Sequence, residues 1–119
     1  MESKRQQKFA RVIQKELGEV FQREGSHYLP GIMITLTKVR VTSDLSIARV
    51  YLSFFKTPSP LQALNTIQSQ TREIRYKLGE KIKDQVRAVP QLSFFLDDTN
   101  EYSERMEAIF SQINKDNTP

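Results

Sequence analysis

The chain has no cysteine and a single histidine, His27, in 119 residues. The first absence removes disulfide frameworks, thiol nucleophiles and cysteine-based zinc sites, and the second removes the usual multi-histidine metal sets. Glycine occurs only at positions 18, 25, 31 and 79, so neither a glycine-rich phosphate loop nor a Gly-x-x-Gly turn is present. No apolar run approaches the ~18 residues needed to span a membrane. Met1-Glu2-Ser3-Lys4-Arg5 leads into a polar segment without the apolar core of a secretory signal. The expectation from these absences is a cytoplasmic protein that holds no metal or cofactor.

What is present is charge, unevenly placed. A chain of this length, 38% hydrophobic and 27% charged, makes one soluble domain and is too short for two separate cores. The net charge of +4 divides: residues 1–96 carry 16 Lys/Arg against 8 Asp/Glu, whereas 97–119 carry 2 against 6. A basic body of that sign concentrates polyanions around it, and in cytoplasm the common polyanion is phosphate. The domain division expected from this is a folded body over 1–98 and an acidic appendage over 99–119.

Ser3 with Gln6 reads as a capping box, and Phe9, Val12, Ile13, Leu17, Val20 and Phe21 recur behind it at helical spacing. This predicts a first helix of about twenty residues ending near Gly25. Two β-rich runs follow, 32–41 and 46–54, joined through Thr42-Ser43-Asp44-Leu45 as a hairpin. In the second, Ala48, Val50, Leu52 and Phe54 alternate with polar positions, so one face is buried. In the first, Ile32, Ile34 and Leu36 give way to Val39 and Val41, a phase slip that predicts a bulge near Thr37-Lys38.

Ser59-Pro60-Leu61-Gln62 combines an N-cap serine with proline at the first helical position. Apolar residues then hold helical phase from Leu61 to Val86. One rod of that length would reach ~40 Å, against a radius of gyration of ~13–14 Å for a domain of this size. A break is therefore predicted at Ser69-Gln70-Thr71, with a second helical part over Thr71–Arg87. Pro90 ends any helix, and a third strand is expected over Gln91–Leu96. Asp98 with Glu101 caps a last helix through about Ile113, and the final residues fray. The sum is an α+β domain: a three-stranded sheet with helices on one face, plus an added C-terminal helix.

Helical geometry sorts the cations. In the first helix Lys4, Lys8, Arg11 and Lys15 fall within a sector of roughly 60°, opposite the apolar stripe and free of acids. In the later helix Arg72, Tyr76, Lys83 and Arg87 cluster opposite Ile74, Leu78 and Ile82, with Glu80 interrupting. Two such helices side by side would present two basic rows, a fit for a phosphate backbone; a solvated surface is the bland reading of the same rows. Arg75 falls on the apolar side, where a carboxylate or carbonyl partner is expected.

Arg49, Tyr51, Ser53, Ser93 and Phe95 lie on the strand face away from the core, where cross-strand pairing is favoured over base stacking. Asp97 and Asp98 are neighbours whose side chains point apart, a poor acid–base pair. Nothing else suggests catalysis.

Three segments in register resemble the ribosome-binding factor A family. They are Val39-Arg40-Val41-Thr42-Ser43-Asp44-Leu45-Ser46-Ile47-Ala48-Arg49-Val50-Tyr51, Ile74-Arg75 with Leu78, and Val89-Pro90-Gln91-Leu92-Ser93-Phe94 with Asp97. The resemblance implies a type II KH-like domain, in the order α-β-β-α-kink-α-β, with no catalytic activity. It further implies a factor that binds the immature small (30S) ribosomal subunit and 16S rRNA near its 5′-terminal helix; a monomer is expected from the lack of an obvious exposed apolar stripe. Late maturation and rRNA processing would be its task, with a role that grows in the cold. In that family a small-residue kink replaces the Gly-x-x-Gly loop, usually an Ala-x-Gly-like triplet; here the matching positions read Gln70-Thr71-Arg72. From Ile74 to Pro90 the chain is also about two residues longer than the common form of the family, which would extend the basic helix or bulge before the strand.

The expected RNA contacts are Lys4, Lys8, Arg11, Lys15, Arg72, Lys83 and Arg87. The rival expectation is a protein-interaction adaptor of similar fold that docks a basic partner through its acidic last helix.

Overall fold

A computed structural model describes residues 2–97. The last helix expected after Asp98 and the frayed end lie outside the described residues. Within them the order is α1 (Lys4–Tyr28), β1 (Met33–Val41), β2 (Ile47–Phe55), α2 (Pro60–Ser69), α3 (Thr71–Ile82) and β3 (Gln91–Leu96).

The strands form one sheet in the order β1-β2-β3, with β1 antiparallel and β3 parallel to β2. This is the type II KH-like arrangement. The register steps between Leu36 and Lys38, leaving Thr37 unpaired. That bulge is what lets Val39 and Val41 face inward and become buried. Ala48, Val50, Leu52 and Phe54 of β2, with Leu92 and Phe94 of β3, point to the same side and meet Ile13, Leu17, Ile67, Ile74, Leu78 and Ile82 from the helices. All three helices cover that side. Each of the valine, leucine, isoleucine and phenylalanine side chains among them contributes about 1.5–3 kcal/mol on burial.

The Ser3–Gln6 capping box forms as the sequence predicts. The helix it starts runs a turn past Gly25, because Gly25 and Tyr28 continue the buried stripe and Leu29 N–H closes on the Gly25 carbonyl at 2.8 Å. Gly31, at φ 79°, then turns the chain into β1.

The helix break falls where expected, at Gln70 with φ −104° and ψ 14°. The end of α3 does not. The helix stops at Ile82, and Lys83 to Gln85 form a turn, with Gln85 N–H and Val86 N–H both reaching the Ile82 carbonyl. Arg75 explains this. Its Nε and Nη2 donate to the carbonyls of Pro90 and Val89 at 2.8 and 2.7 Å. A helix carried on to Arg87 would place that residue ~18 Å beyond Arg75, and three residues return at most ~11 Å. The chain therefore leaves the helix early and folds back along it. Gly79 permits the approach, since a Cβ there would stand 3.3 Å from Val89 Cγ2.

Helices α1 and α3 run antiparallel, and their seam is ionic. Lys77 bridges Glu24 and Glu73 at 3.3 and 3.2 Å, and Lys81 bridges Glu19 and Glu16 at 2.9 and 3.5 Å. The hydrogen bond to Lys81 lowers the Glu19 carboxyl pKa, and the bonds to Glu73 and Glu19 raise those of Lys77 and Lys81.

A lowered carboxyl favours the fold above its unfolded pKa and loses that effect as pH falls through the folded one; a raised amine favours it until pH climbs through its own. We expect Lys81→Gln to lower the urea midpoint near neutral pH and low salt. The difference should shrink at acid pH, where Glu19 is protonated, and in molar salt; a gap independent of both would mean that Lys81 acts through packing alone.

Candidate nucleic-acid interface

The cationic end of the molecule is built by three segments that are far apart in sequence. The first turn of α1 is fixed by its cap and by Gln6 Nε2, which donates to the Val41 carbonyl at 2.9 Å and so ties the helix to the end of β1. Beside it lies the hairpin turn. Asp44 Oδ1 accepts from Thr42 Oγ1, Ser46 Oγ and Ser46 N at 2.8, 2.7 and 3.1 Å, and these bonds, that from Ser46 Oγ foremost, lower its pKa. The turn thereby forces Leu45 to a left-handed φ of 61°. The third segment is the α3–β3 connection, held down by Arg75.

A cleft of about 590 Å³ opens between the three. Phe9 and Val12 of α1, Leu45 and Val86 form its apolar floor, and Arg5, Lys8 and Arg87 stand around it, with Asp44 as the one acid of the lining. Lys8 and Arg87 are the two sequence-predicted contacts that the fold brings together. Arg5 joins them and was absent from the predicted row; its place one helical turn before Lys8 was the available signal.

The other predicted residues distribute as follows. Lys4 and Arg11 are exposed on α1, and among the described residues Lys4, Arg5, Lys8, Arg11 and Arg87 form no ion pair. Lys83 lies 3.6 Å from Glu80, an exposed pair of small energetic weight, and exposed Lys15 lies 3.8 Å from Glu16, a half-buried carboxylate that Lys81 also holds. Arg72 does not join the cluster. It occupies the first turn of α3, beside Glu73, which accepts from Tyr28 Oη at 3.5 Å at the far end of α1. Burial raises the pKa of that Tyr28 phenol.

The expectation of two parallel basic rows is thus corrected. Lys83 and Arg87 lie beyond α3, Arg72 is about a helix length away at ~18 Å, and the seam between the helices is neutralised by Lys77 and Lys81. What the fold offers is one cationic end with an apolar floor, plus a separate arginine at the helix break. Guanidinium and ammonium groups free of carboxylates suit phosphate oxygens, and the apolar floor suits the face of a base or sugar.

Among the described residues no group of three or more acidic or histidine side chains is placed to hold a metal, and no helix is long and apolar enough to cross a membrane.

Arg75 supports this end without belonging to it. We expect Arg75→Met to cost about 1–2 kcal/mol in urea unfolding and to shift the backbone amide resonances of residues 85–89 that border the cleft. Unmoved resonances with unchanged stability would remove Arg75 from the account of how the connection is held.

Residues 5–110 match the family model described as ribosome-binding factor A. Over 113 residues, 95% of this chain and 85% of the relative, the chain is 41% identical to ribosome-binding factor A of Cytophaga hutchinsonii. Over 108 residues, 90% and 83% of the two chains, it is 41% identical to that of Flavobacterium johnsoniae. The crystal structure of ribosome-binding factor A from Thermus thermophilus superposes with a TM-score of 0.63 at 22% identity, covering 76% of this chain and 94% of that one. A homology model of the Thermus thermophilus factor, fitted into the cryo-EM map of its complex with the 30S subunit, gives 0.59 at 23% identity, covering 72% and 88%. Sequence and fold agree over nearly all of the described residues, and the chain belongs to the ribosome-binding factor A family.

Proposed function

We propose that this protein is a non-enzymatic assembly factor of the small ribosomal subunit. It binds the immature 30S particle through 16S rRNA near the 5′-terminal helix and assists late maturation and rRNA processing, with most effect in the cold. It acts in the cytoplasm as a monomer, with residues 1–98 as the RNA-binding unit and 99–119 as an acidic appendage. Two findings support the particle as partner: membership of a family named for ribosome binding, and the Thermus thermophilus factor fitted into a map of its 30S complex.

The observation that carries the RNA contact is the cationic end itself. Lys8 and Arg87, with Arg5, converge on one cleft from separated parts of the chain, and Lys4 and Arg11 extend the same surface without carboxylate partners among the described residues. These residues make the main phosphate contacts. Lys15 and Lys83, themselves exposed and only loosely held by Glu16 and Glu80, widen the footprint. Arg72 touches a strand that passes the helix break. Each phosphate neutralised releases condensed counterion, so affinity falls as salt rises, with a slope of ~0.7–0.9 per contact.

Binding of purified immature small subunits over a range of salt concentrations tests this reading. Lys8→Glu combined with Arg11→Glu should weaken binding and flatten the salt slope by about 1.4–1.8. Arg87→Glu should act in the same direction, and Arg72→Glu independently of both. A double variant that keeps the parent affinity and slope would sink the α1 footprint.

A further inference from the structure

The face of the sheet opposite the helices carries side chains for which the described residues supply no cover. Met33, Phe55, Phe95 and Ile47 on this face are 52, 44, 39 and 38% exposed. In its middle the register aligns Lys38, Tyr51 and Phe95 across all three strands. The Tyr51 and Phe95 rings stack at 5.4 Å, and Lys38 Nζ lies 4.8 Å over the Tyr51 ring. One register step away Arg40 stands directly opposite Arg49. Like charges across a strand pair destabilise it, and among the described residues neither arginine has a carboxylate partner. The face is an apolar strip bordered by uncompensated cations.

The end of the described chain is held on this face. Asp97 N–H still bonds the Leu52 carbonyl of β2 at 2.8 Å, as a continuation of the ladder. Its carbonyl, however, accepts from Ser53 Oγ at 3.0 Å, and its carboxylate accepts from the hydroxyl of Thr37 on β1. One residue is thus held by side chains of both other strands, and Ser53 is only 8% exposed beneath it. Asp97, the last described residue, is thereby drawn toward the open face and not away from the sheet.

We propose that residues 98–119 dock on this open face as an amphipathic helix. Tyr102, Met106, Ile109 and Ile113 recur at i, i+4, i+7 and i+11 and would occupy a stripe roughly 60° wide on a helix. The segment carries five acids against two bases, the opposite sign to Lys38, Arg40 and Arg49. A helix from Glu101 to Ile113 would be ~20 Å long, within the ~30 Å length of a nine-residue strand. The stripe covers Tyr51, Phe95 and their apolar neighbours, and the acids offset the facing arginines. The proposal stands apart from the RNA reading, since it concerns the opposite side of the sheet and its test uses no ribosome.

The absence of cysteine makes the test clean: Asn114→Cys in the full chain takes a nitroxide at one place only. With the tail docked, amide signals of β2 and β3 lose intensity when the label is paramagnetic and regain it on reduction, while those of Leu64 and Ala63 on α2 keep theirs. Adding Met106→Asp and Ile109→Asp to the labelled chain should abolish the loss, and unchanged chemical shifts of Ile13 and Leu78 on the helices certify that the fold is intact.

Absent or uniform broadening overturns the proposal. So does broadening seen only between labelled and isotope-enriched chains in a mixture, which would assign the face to a second copy. If the tail leaves the face untouched and a uridine decamer shifts Tyr51 and Phe95, the occupant is single-stranded RNA and the proposal also fails.

Discussion

Burial on one side of a three-stranded sheet is the constraint from which the rest of this molecule follows. Strand β2 sits in the middle, and Ala48, Val50, Leu52 and Phe54 must all be covered from the same side. Because β3 is parallel to β2, the chain between them has to cross over that side as well. A single helix from Pro60 to Ile82 would measure ~35 Å, longer than the ~30 Å strands it would have to cover. The break at Gln70 lets α2 lie on β2 and β3 while α3 turns to meet α1. The same crowding sends the α3–β3 connection back toward the start of α1, and that return creates the cationic end.

Charge is sorted by this packing more than by its amount. Thr71 to Arg87 holds six cations, a number that suggests a polyanion-binding helix. Three are consumed by the fold: Arg75 holds the carbonyls of Val89 and Pro90, and Lys77 and Lys81 close the seam with Glu16, Glu19, Glu24 and Glu73. Lys83 leans on Glu80. Arg87 reaches the cleft and Arg72 stays at the break, so two of the six remain without a partner among the described residues. The row on α1 fares differently. Its acids, Glu16, Glu19 and Glu24, lie on the side that meets α3 and are taken by its lysines, which leaves Lys4, Lys8 and Arg11 without an ion pair among the described residues and Lys15 with only a loose one to Glu16.

Local signals made most of the fold legible. The two serine caps, the hairpin, the phase slip at Thr37 and the strand after Pro90 each rest on a few neighbouring residues, the break at Gln70 on the length of the helical run against the size of the domain, and each stands where the sequence implies. Arg75 was assigned to the core side from its wheel position alone. The errors arise where distant segments decide. Helical phase persists through Val86, yet a contact between Arg75 and Pro90 ends the helix at Ile82. Gly25 reads as a stop, yet burial of Gly25 and Tyr28 carries α1 onward. The site was legible in composition and less so in place: Lys8 and Arg87 meet only because the connection folds back, a consequence of tertiary packing that no window of sequence contains. Lys38 and Arg40 on the open face were within reach, since the bulge that turns Val39 and Val41 inward must turn their neighbours outward.

The break at Gln70 shows how this chain does without the small residues that relatives by resemblance place there. Its dihedrals lie in the bridge region, open to any L-residue, so glycine is not required. The carbonyls disturbed by the turn find side-chain donors instead: Ser69 Oγ bonds the Thr66 carbonyl at 2.6 Å and Thr71 Oγ1 bonds that of Gln68 at 2.7 Å. Gln68 Nε2 in turn reaches the Phe94 carbonyl at 3.1 Å, which fixes the break against β3. The hydroxyls thus serve the geometry that an Ala-x-Gly-like triplet would reach through lack of bulk. What changes is the surface. A bare kink admits a ligand close to the backbone, whereas Gln70 and exposed Arg72 present an amide and a guanidinium at the same place. Any phosphate strand passing here is met by a charge-assisted side-chain contact, stronger per bond and more dependent on salt than a backbone approach.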